Sequence, residues 1–351
     1  MGDLTQSLVE RVSDAMRGKR ALNIVGGNSK TFYGQAARGE ALEVASHRGI
    51  LNYAPTELVA TVRAGTPLSE LEQVLAENQQ RLPFEPPHFG ESATVGGTVA
   101  CNFSGPRRPY AGAVRDHVLG VRIINGKGEV LSFGGEVMKN VAGYDISRLM
   151  SGALGTLGVL LEVSFKVIPM AEHEITLYRS CTIDTAIDTM NQWAGRPYPI
   201  SAAAFDGENL YMRFSGSHSA VEASRLKFGG ETMDDGVAFW QRLKEHQHGF
   251  FQGEGPLWRL SLPPAAAPLK LAGKQLIDWG GAQRWYRGDA EASTIRRLTR
   301  EAGGHAVLFR GGDRSLAFPP LDPVLLRLHE KLKQAMDPEG ILNPGRLYAE
   351  L

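Results

Sequence analysis

The segment EPPHFGESATVGGTVACNFSG (residues 85–105) holds two prolines, four glycines and a run of Ser, Thr and Ala. A segment that served only a core would carry Leu, Ile or Val. Small residues in series instead let something approach the backbone closely. The enrichment spreads around this segment. Glycine makes up 41 of the 351 residues, ~12% against a usual ~7%. Fourteen of these glycines lie among the 69 residues from Gly90 to Gly158, leaving 27 for the other 282.

Length and charge set the outer bounds. A chain of 351 residues exceeds what one core usually serves, which predicts two or more domains. Lys plus Arg is 38 and Asp plus Glu is 38, so net charge gives no electrostatic argument for nucleic acid or an anionic membrane. The N-terminus has no charged stretch followed by an apolar one, so no secretory signal is expected. No apolar run approaches the ~18 residues of a spanning helix. Cys101 and Cys181 lie far apart and form no CxxC metal or iron–sulfur pattern; two idle thiols in a reducing cytoplasm are expected.

Outward from the opening segment, the pattern alternates strands and helices. Residues 4–17 read as an amphipathic helix with Leu4, Leu8, Val12, Ala15 and Met16 on one face, capped by Gly18. ALNIVGG, ALEVAS and LVATVRAG read as strands, and Thr66-Pro67 as the N-cap and first turn of a helix with Leu68, Leu71, Val74 and Leu75 inward. This predicts a small α/β subdomain. After the opening segment, Asn125-Gly126 between two apolar runs predicts a hairpin. A helix is expected over Tyr144–Met150, then a buried strand within GALGTLGVLLEVSFKVIP, with a boundary near Pro169. Residues 173–310 alternate strand-like segments (EITLYRS, NLYMRF, LWRLSLP, AQRWYR, HAVLFR) with helical patterns near 183–194 and 235–247, as in a sheet with one covered face. Asp322-Pro323 opens a last helix carrying Leu325, Leu328, Leu332 and Met336, which Asp337-Pro338 stops.

Consecutive backbone N–H groups in a turn make a nest for anions, and glycine lets a ligand reach them. GGNSKT (Gly26–Thr31) after the first strand has this character, as does the opening segment. Neither GxxxxGK[ST] nor GxGxxG after a strand is present. A glycine pair alone reads equally as a tight turn.

The order IVGGNSK, APTELVATVRAGT, ATVGGTVACNFSG, GYDISRLMSGALGTLGVLLEVSFKVIP and DPEGILNPGR resembles the vanillyl-alcohol-oxidase/PCMH-type FAD-binding family. Within it, the sequence is similar to the FAD-binding E subunits of bacterial glycolate oxidases. The resemblance covers residues 1–170 and the C-terminal tail, and the middle of the chain is compatible with it. It implies an α+β chain. A PCMH-type FAD-binding domain would consist of two α/β subdomains, residues 1–80 and 81–172. An antiparallel-sheet cap domain would cover 173–315, meeting substrate or a partner. A C-terminal helix and tail, 316–351, would return to the FAD domain. The resemblance further implies that Gly26, Gly27, Asn28, Ser29 and Lys30 cradle the pyrophosphate. Ala93, Thr94, Gly96 and Gly97 would run along the pyrophosphate, ribityl chain and flavin. Asn102 and Gly105 would border the same tunnel, Gly158 and Val159 would meet the adenine side, and Asn343 would reach the flavin edge. Asn28 stands where covalent members of the family carry a histidine, so FAD is expected to be non-covalent.

Two departures bear on catalysis. Related catalytic subunits carry HxxGDGNxH in the cap; here AFDGENLYMRF (Ala204–Phe214) keeps the turn residues without either histidine. Of nine histidines, His88 is the acid–base candidate by position, against a role in packing beside the cofactor. Arg259 and Arg284 are candidates for gripping a small carboxylate, against being ordinary strand arginines. His246 and His248, at i and i+2, point to different sides of a helix, and no metal site is expected. Two readings follow. In one, the chain oxidises glycolate to glyoxylate with FAD as hydride acceptor, inside a complex with a catalytic FAD subunit and an iron–sulfur subunit. In the other, it is a non-catalytic electron-relay or assembly subunit beside a catalytic FAD homologue. Either complex is expected in the cytoplasm, brought to the inner face of the cell membrane by its partners.

Overall fold

The computed structural model describes residues 2–135 and 145–351. The chain folds into two compact α+β units. The first comprises Met1–Phe103, Ala113–Pro169 and Pro320–Leu351; the second comprises Ser104–Gly112 and Met170–Pro319.

In the first unit, helix Thr5–Arg17 buries Leu8, Val12 and Ala15, a spacing that puts all three on one face, and ends at Gly18. Strand Leu22–Val25 pairs in parallel with Glu40–Glu43. A separate five-stranded antiparallel sheet has the order Ile50–Ala54, Val59–Arg63, Val159–Lys166, Val118–Ile124, Val130–Gly134. Its edge strand Ile50–Ala54 has no period-2 apolar pattern, and sequence reading passed over it. Helices Leu68–Glu77 and Val95–Cys101 add Leu71, Leu75 and Val99 to a core with Val62, Phe84, Val163 and Phe165.

Three local expectations change. Thr66 does not cap helix Leu68–Glu77, whose N-cap is Pro67. Its hydroxyl instead accepts the Gly49 N–H at 2.9 Å, tying the helix entrance to the neighbouring turn. Asn125-Gly126 lies in the expected hairpin, between the paired strands Val118–Ile124 and Val130–Gly134, with a loop wider than a two-residue turn. The Asn125 side chain accepts the N–H groups of Lys127 and Glu129, both at 3.0 Å, which spreads the loop over Asn125–Glu129. Of the helix expected over Tyr144–Met150, Tyr144 lies outside the described residues; the helix runs Ile146–Met150, with Asp145 accepting the Arg148 N–H.

The C-terminal segment is stitched into this unit. Helix Pro323–Met336 starts on its Asp322 cap. Near its end, the Lys333 ammonium donates to the carbonyls of Thr156 (2.9 Å) and Leu342 (2.8 Å) and pairs with Asp337 at 2.8 Å. Asp337 is buried and also accepts the N–H groups of Ile341 and Leu342. Leu22 donates to the Ile341 carbonyl, and Asn343 to the Leu22 carbonyl.

The second unit is built on an eight-stranded antiparallel sheet. Its order is Glu231–Thr232, His173–Ser180, Asn209–Gly216, Ile200–Phe205, Lys274–Asp278, Gln283–Arg287, Leu257–Ser261, His305–Arg310. Helices Ile183–Ala194 and His218–Phe228 contribute Ile187, Met190, Val221 and Phe228 to a core with Met212 and Phe214. Helix Ala292–Glu301 places Ile295 against Trp258, Leu260 and Tyr286. The central strand Ile200–Phe205 is buried along its whole length, so alternation could not reveal it. His246 sits in this unit with its ring stacked on Phe251, centroids 3.9 Å apart, and edge-on to Trp285. Burial pushes its imidazole well below the ordinary value of 6.5, reinforced by Arg310, Arg259 and Arg287. All five tryptophans (193, 240, 258, 279 and 285) belong to this unit.

Two outcomes follow. Asp337→Ala strands the buried Lys333 ammonium and two tail N–H groups, and is expected to cost about 3–5 kcal/mol in urea unfolding of the first unit. The unfolded chain protonates His246 below pH 6.5 while the folded one resists. Stability of the second unit is therefore complete above that pH and falls below it, by up to about 1.4 kcal/mol per pH unit for this group. Tryptophan fluorescence reads the transition. His246→Asn, tolerated at the φ of 56° found there, should flatten the acid limb.

Candidate cofactor-binding site

One cleft in the first unit, about 240 Å³ in volume, gathers four stretches of chain. The first is the loop after strand Leu22–Val25, from Gly26 to Thr31, with Ala36 and Ala37 behind it. The second is Thr94 with helix residues Gly96, Gly97, Ala100 and Cys101. The third runs from Met150 to Leu160, and the fourth is the tail, through Asn343 and Arg346.

The loop is shaped to present donors. Asn28 adopts a left-handed φ of 56°. Among the described residues, the N–H groups of Gly26, Gly27, Asn28 and Ser29 donate to no protein acceptor, whereas those of Thr31 and Tyr33 bond back to Asn28 and Lys30. Four donors in series at a cleft, with Gly26, Gly27 and Ser29 half-buried and Asn28 exposed, suit an anionic partner. Lys30 stands below, its ammonium 3.0 Å from the His88 carbonyl and 3.2 Å from Ser29 Oγ.

Small side chains here serve two ends. A Cβ on Gly27 would overlap the Ser92 carbonyl oxygen, so this glycine lets the two loops touch; the Ser92 hydroxyl also donates to the Gly27 carbonyl. Gly97 differs. A Cβ there would meet only Thr94 Oγ1, at 3.1 Å, and its N–H donates to that same hydroxyl, the cap of helix Val95–Cys101. The absence of a side chain at Gly97 therefore leaves the cleft open.

The tail closes the site. Asn343 Oδ1 accepts the Ile24 N–H at 2.7 Å and Nδ2 donates to the Leu154 carbonyl at 2.6 Å. Its amide thus braces two walls of the cleft. Arg346 donates to the carbonyls of Gln35 and Thr31. Burial lowers the Arg346 pKa. Burial pushes the Cys101 thiol up to about 11 against the opposing pull of Lys30 and Arg346, so it stands as a neutral thiol. Sequence reading missed Arg346 and Cys101; the NPGR tail motif pointed toward the first, and nothing distinguished the second.

Of the residues assigned through the resemblance, the structure brings Gly26, Gly27, Asn28, Ser29, Lys30, Thr94, Gly96, Gly97, Gly158 and Asn343 to this cleft. The others lie elsewhere. Ala93 is buried, its carbonyl accepting the Leu68 N–H. Val159 opens a core strand and packs among Leu8, Val12 and Ile124. Asn102 ends helix Val95–Cys101 at a left-handed φ of 52°, next to the lining residue Cys101 but not itself among the lining residues. Gly105 groups with the second unit.

None of the catalytic candidates is among the described residues that line the cleft. His88 Nε2 lies 2.8 Å from Glu72, an ion-pairing geometry outside the cleft lining. Arg284 is fully buried in the second unit and donates to the carbonyls of Ala266, Ala267 and Gly281, which corrects its reading as a carboxylate grip. Arg259 stands over the Phe309 ring at 5.6 Å, in the second unit. Ala204–Phe214 is a plain hairpin whose Asp206 accepts the Glu208 and Asn209 N–H groups. Among the described residues, the titratable side chains lining the cleft are Lys30, Cys101 and Arg346. Also among them, no group of three or more His, Cys, Asp or Glu could hold a metal ion.

Comparison with known proteins addresses what the cleft takes. A family model described as an FAD binding domain matches residues 4–134. Over 349 residues the chain is 51% identical to glycolate oxidase subunit GlcE of Escherichia coli (strain K12), covering 99% of each chain. The chain belongs to the GlcE family. FAD is the cofactor of this GlcE-family chain. Glycolate oxidase subunit GlcD of Bacillus subtilis (strain 168) is 34% identical over 144 residues, 40% of this chain and 30% of that one. The fold matches the structure of an alkyldihydroxyacetonephosphate synthase with a TM-score of 0.68 at 15% identity, covering 97% of this chain and 75% of that one.

Gly97→Leu fills the cleft with minimal disturbance of the backbone. FAD affinity should fall on the order of a hundredfold, about 3 kcal/mol, in a flavin-fluorescence titration. Tryptophan fluorescence from the second unit should stay unchanged.

Proposed function

We propose that this chain is the FAD-binding subunit of a multi-subunit oxidoreductase that converts glycolate to glyoxylate. The observation that carries the reading is the full-length similarity to GlcE. The cleft supports it: the donors of Gly26–Ser29 suit a pyrophosphate, and the glycine-opened wall at Gly97 suits an extended cofactor. Bound FAD supplies acceptance of a hydride from the α-carbon of a 2-hydroxy acid. In the proposed assignment, the Gly26–Ser29 N–H groups bind the phosphates. Hydrogen bonds to charged groups contribute about 1.5–3 kcal/mol each, which holds a dianion without a large basic cluster. Lys30 adds one positive charge. Gly96, Gly97 and Gly158 let the backbone approach, and Asn343 orients the wall by its two hydrogen bonds. With Asn28 at the covalent-tether position, FAD is held non-covalently.

We also propose the partners: a GlcD-type FAD subunit and an iron–sulfur subunit, in the cytoplasm and brought to the inner face of the cell membrane by the assembly. Among the described residues no helix is long and apolar enough to cross a membrane.

A second reading has its own support. Among the described residues the lining carries no imidazole and no carboxylate that could serve as a general base. On that reading the chain holds flavin as a relay or assembly subunit, and the homologous FAD subunit turns over substrate.

An absorbance spectrum of the purified full chain, before and after anaerobic glycolate, tests both. A flavin band that stays oxidised alone and bleaches once the partner subunits are added is the expected result. Bleaching by the chain alone would overturn the second reading. A chain that binds no flavin would overturn both.

A further inference from the structure

Helix Pro323–Met336 buries the wrong residues for a helix that packs only within its own chain. Lys333 is 8% exposed, while Val324 (56%), Leu325 (49%), Leu328 (51%) and Leu332 (36%) face solvent. At 100° per residue these four, with exposed Ala335, fall within one ~100° arc. The adjoining arc, with Met336, Lys333 and Leu326, is the side packed against the first unit. Leaving Val and three Leu exposed forgoes the free energy that burying their apolar surface would contribute. A continuous stripe of this kind marks an interaction surface.

The edge of the stripe identifies the occupant. Exposed Arg327 and Lys331, one turn apart, border it on one side, with Glu330 beyond them. The stripe itself is aliphatic, without the Trp or Tyr that anchors a helix at a lipid interface. A second copy of this chain, docked antiparallel and helix to helix, would bring the basic edges into the same seam.

We propose that this helix is a docking face for the GlcD-type subunit of the oxidase, which presents an amphipathic helix with an apolar stripe and an acidic border. The inference rests on the multi-subunit reading above and adds to it where the chain joins the assembly. Leu328 and Leu332 are the central anchors, and Arg327 and Lys331 set the register and speed the encounter.

The test uses the full chain loaded with FAD and the GlcD-type subunit of the same organism, with association measured by analytical ultracentrifugation. The double variant L328K/L332K should weaken association about a hundredfold or more while flavin absorbance stays unchanged, because the cleft lies elsewhere in the unit. R327E/K331E should slow association and reverse its salt dependence. Unchanged affinity in both variants, with wild-type binding intact, would overturn the docking face and leave the multi-subunit reading standing. Failure of the wild-type chain to associate would overturn both. Self-association of the wild-type chain that L328K/L332K abolishes, or sedimentation of wild type with phosphatidylserine vesicles, would assign the stripe to a second copy or to lipid and overturn the proposal.

Discussion

The cleft depends on one side-chain amide. Asn343 accepts from Ile24 on one wall and donates to Leu154 on the other, while its own N–H bonds the Leu22 carbonyl. Behind the cleft, Leu22, Ile24, Val159, Leu161 and Leu342 share one apolar core that holds the walls at their base. Two directed hydrogen bonds from a buried side chain add to it at the rim, and buried amides with both ends satisfied are stiff. The Lys333–Asp337 pair supports the amide from below by holding the tail carbonyl of Leu342 and two tail N–H groups.

Much of this was legible in the residues. Helices with four or five apolar positions on one face, such as Thr5–Arg17 and Leu68–Glu77, announce themselves by period. So did the strands whose alternation or apolar runs stood between turn residues. The site-lining loops were legible as glycine enrichment, because close approach leaves a compositional trace. The failures have a common form. Ile200–Phe205 is buried on both faces and shows no alternation; Ile50–Ala54 is an edge and shows little burial. Thr66 and Asn125 were read by local rules, yet tertiary or loop hydrogen bonds claimed their side chains. Arg284 looked available on a strand and is consumed by carbonyls from a loop that sequence could not place.

The glycines of the opening segment and its surroundings divide by what they face. Gly27 faces backbone, and Gly97 faces the open cleft. The first kind sets how closely the walls meet and the second how much room remains between them. A composition count merges the two, and only geometry separates a packing glycine from one that leaves space for a ligand.

The residues that complete the cleft lie at opposite ends of the chain, Asn23 to Thr31 near the start and Asn343 and Arg346 near the finish. During synthesis the early walls emerge first and have no brace until residue 346 has cleared the ribosome. Contacts this distant in sequence form late. Cofactor retention thereby becomes a check on translation through the tail: a product stopped before Asn343 lacks the brace, whatever the state of its second unit.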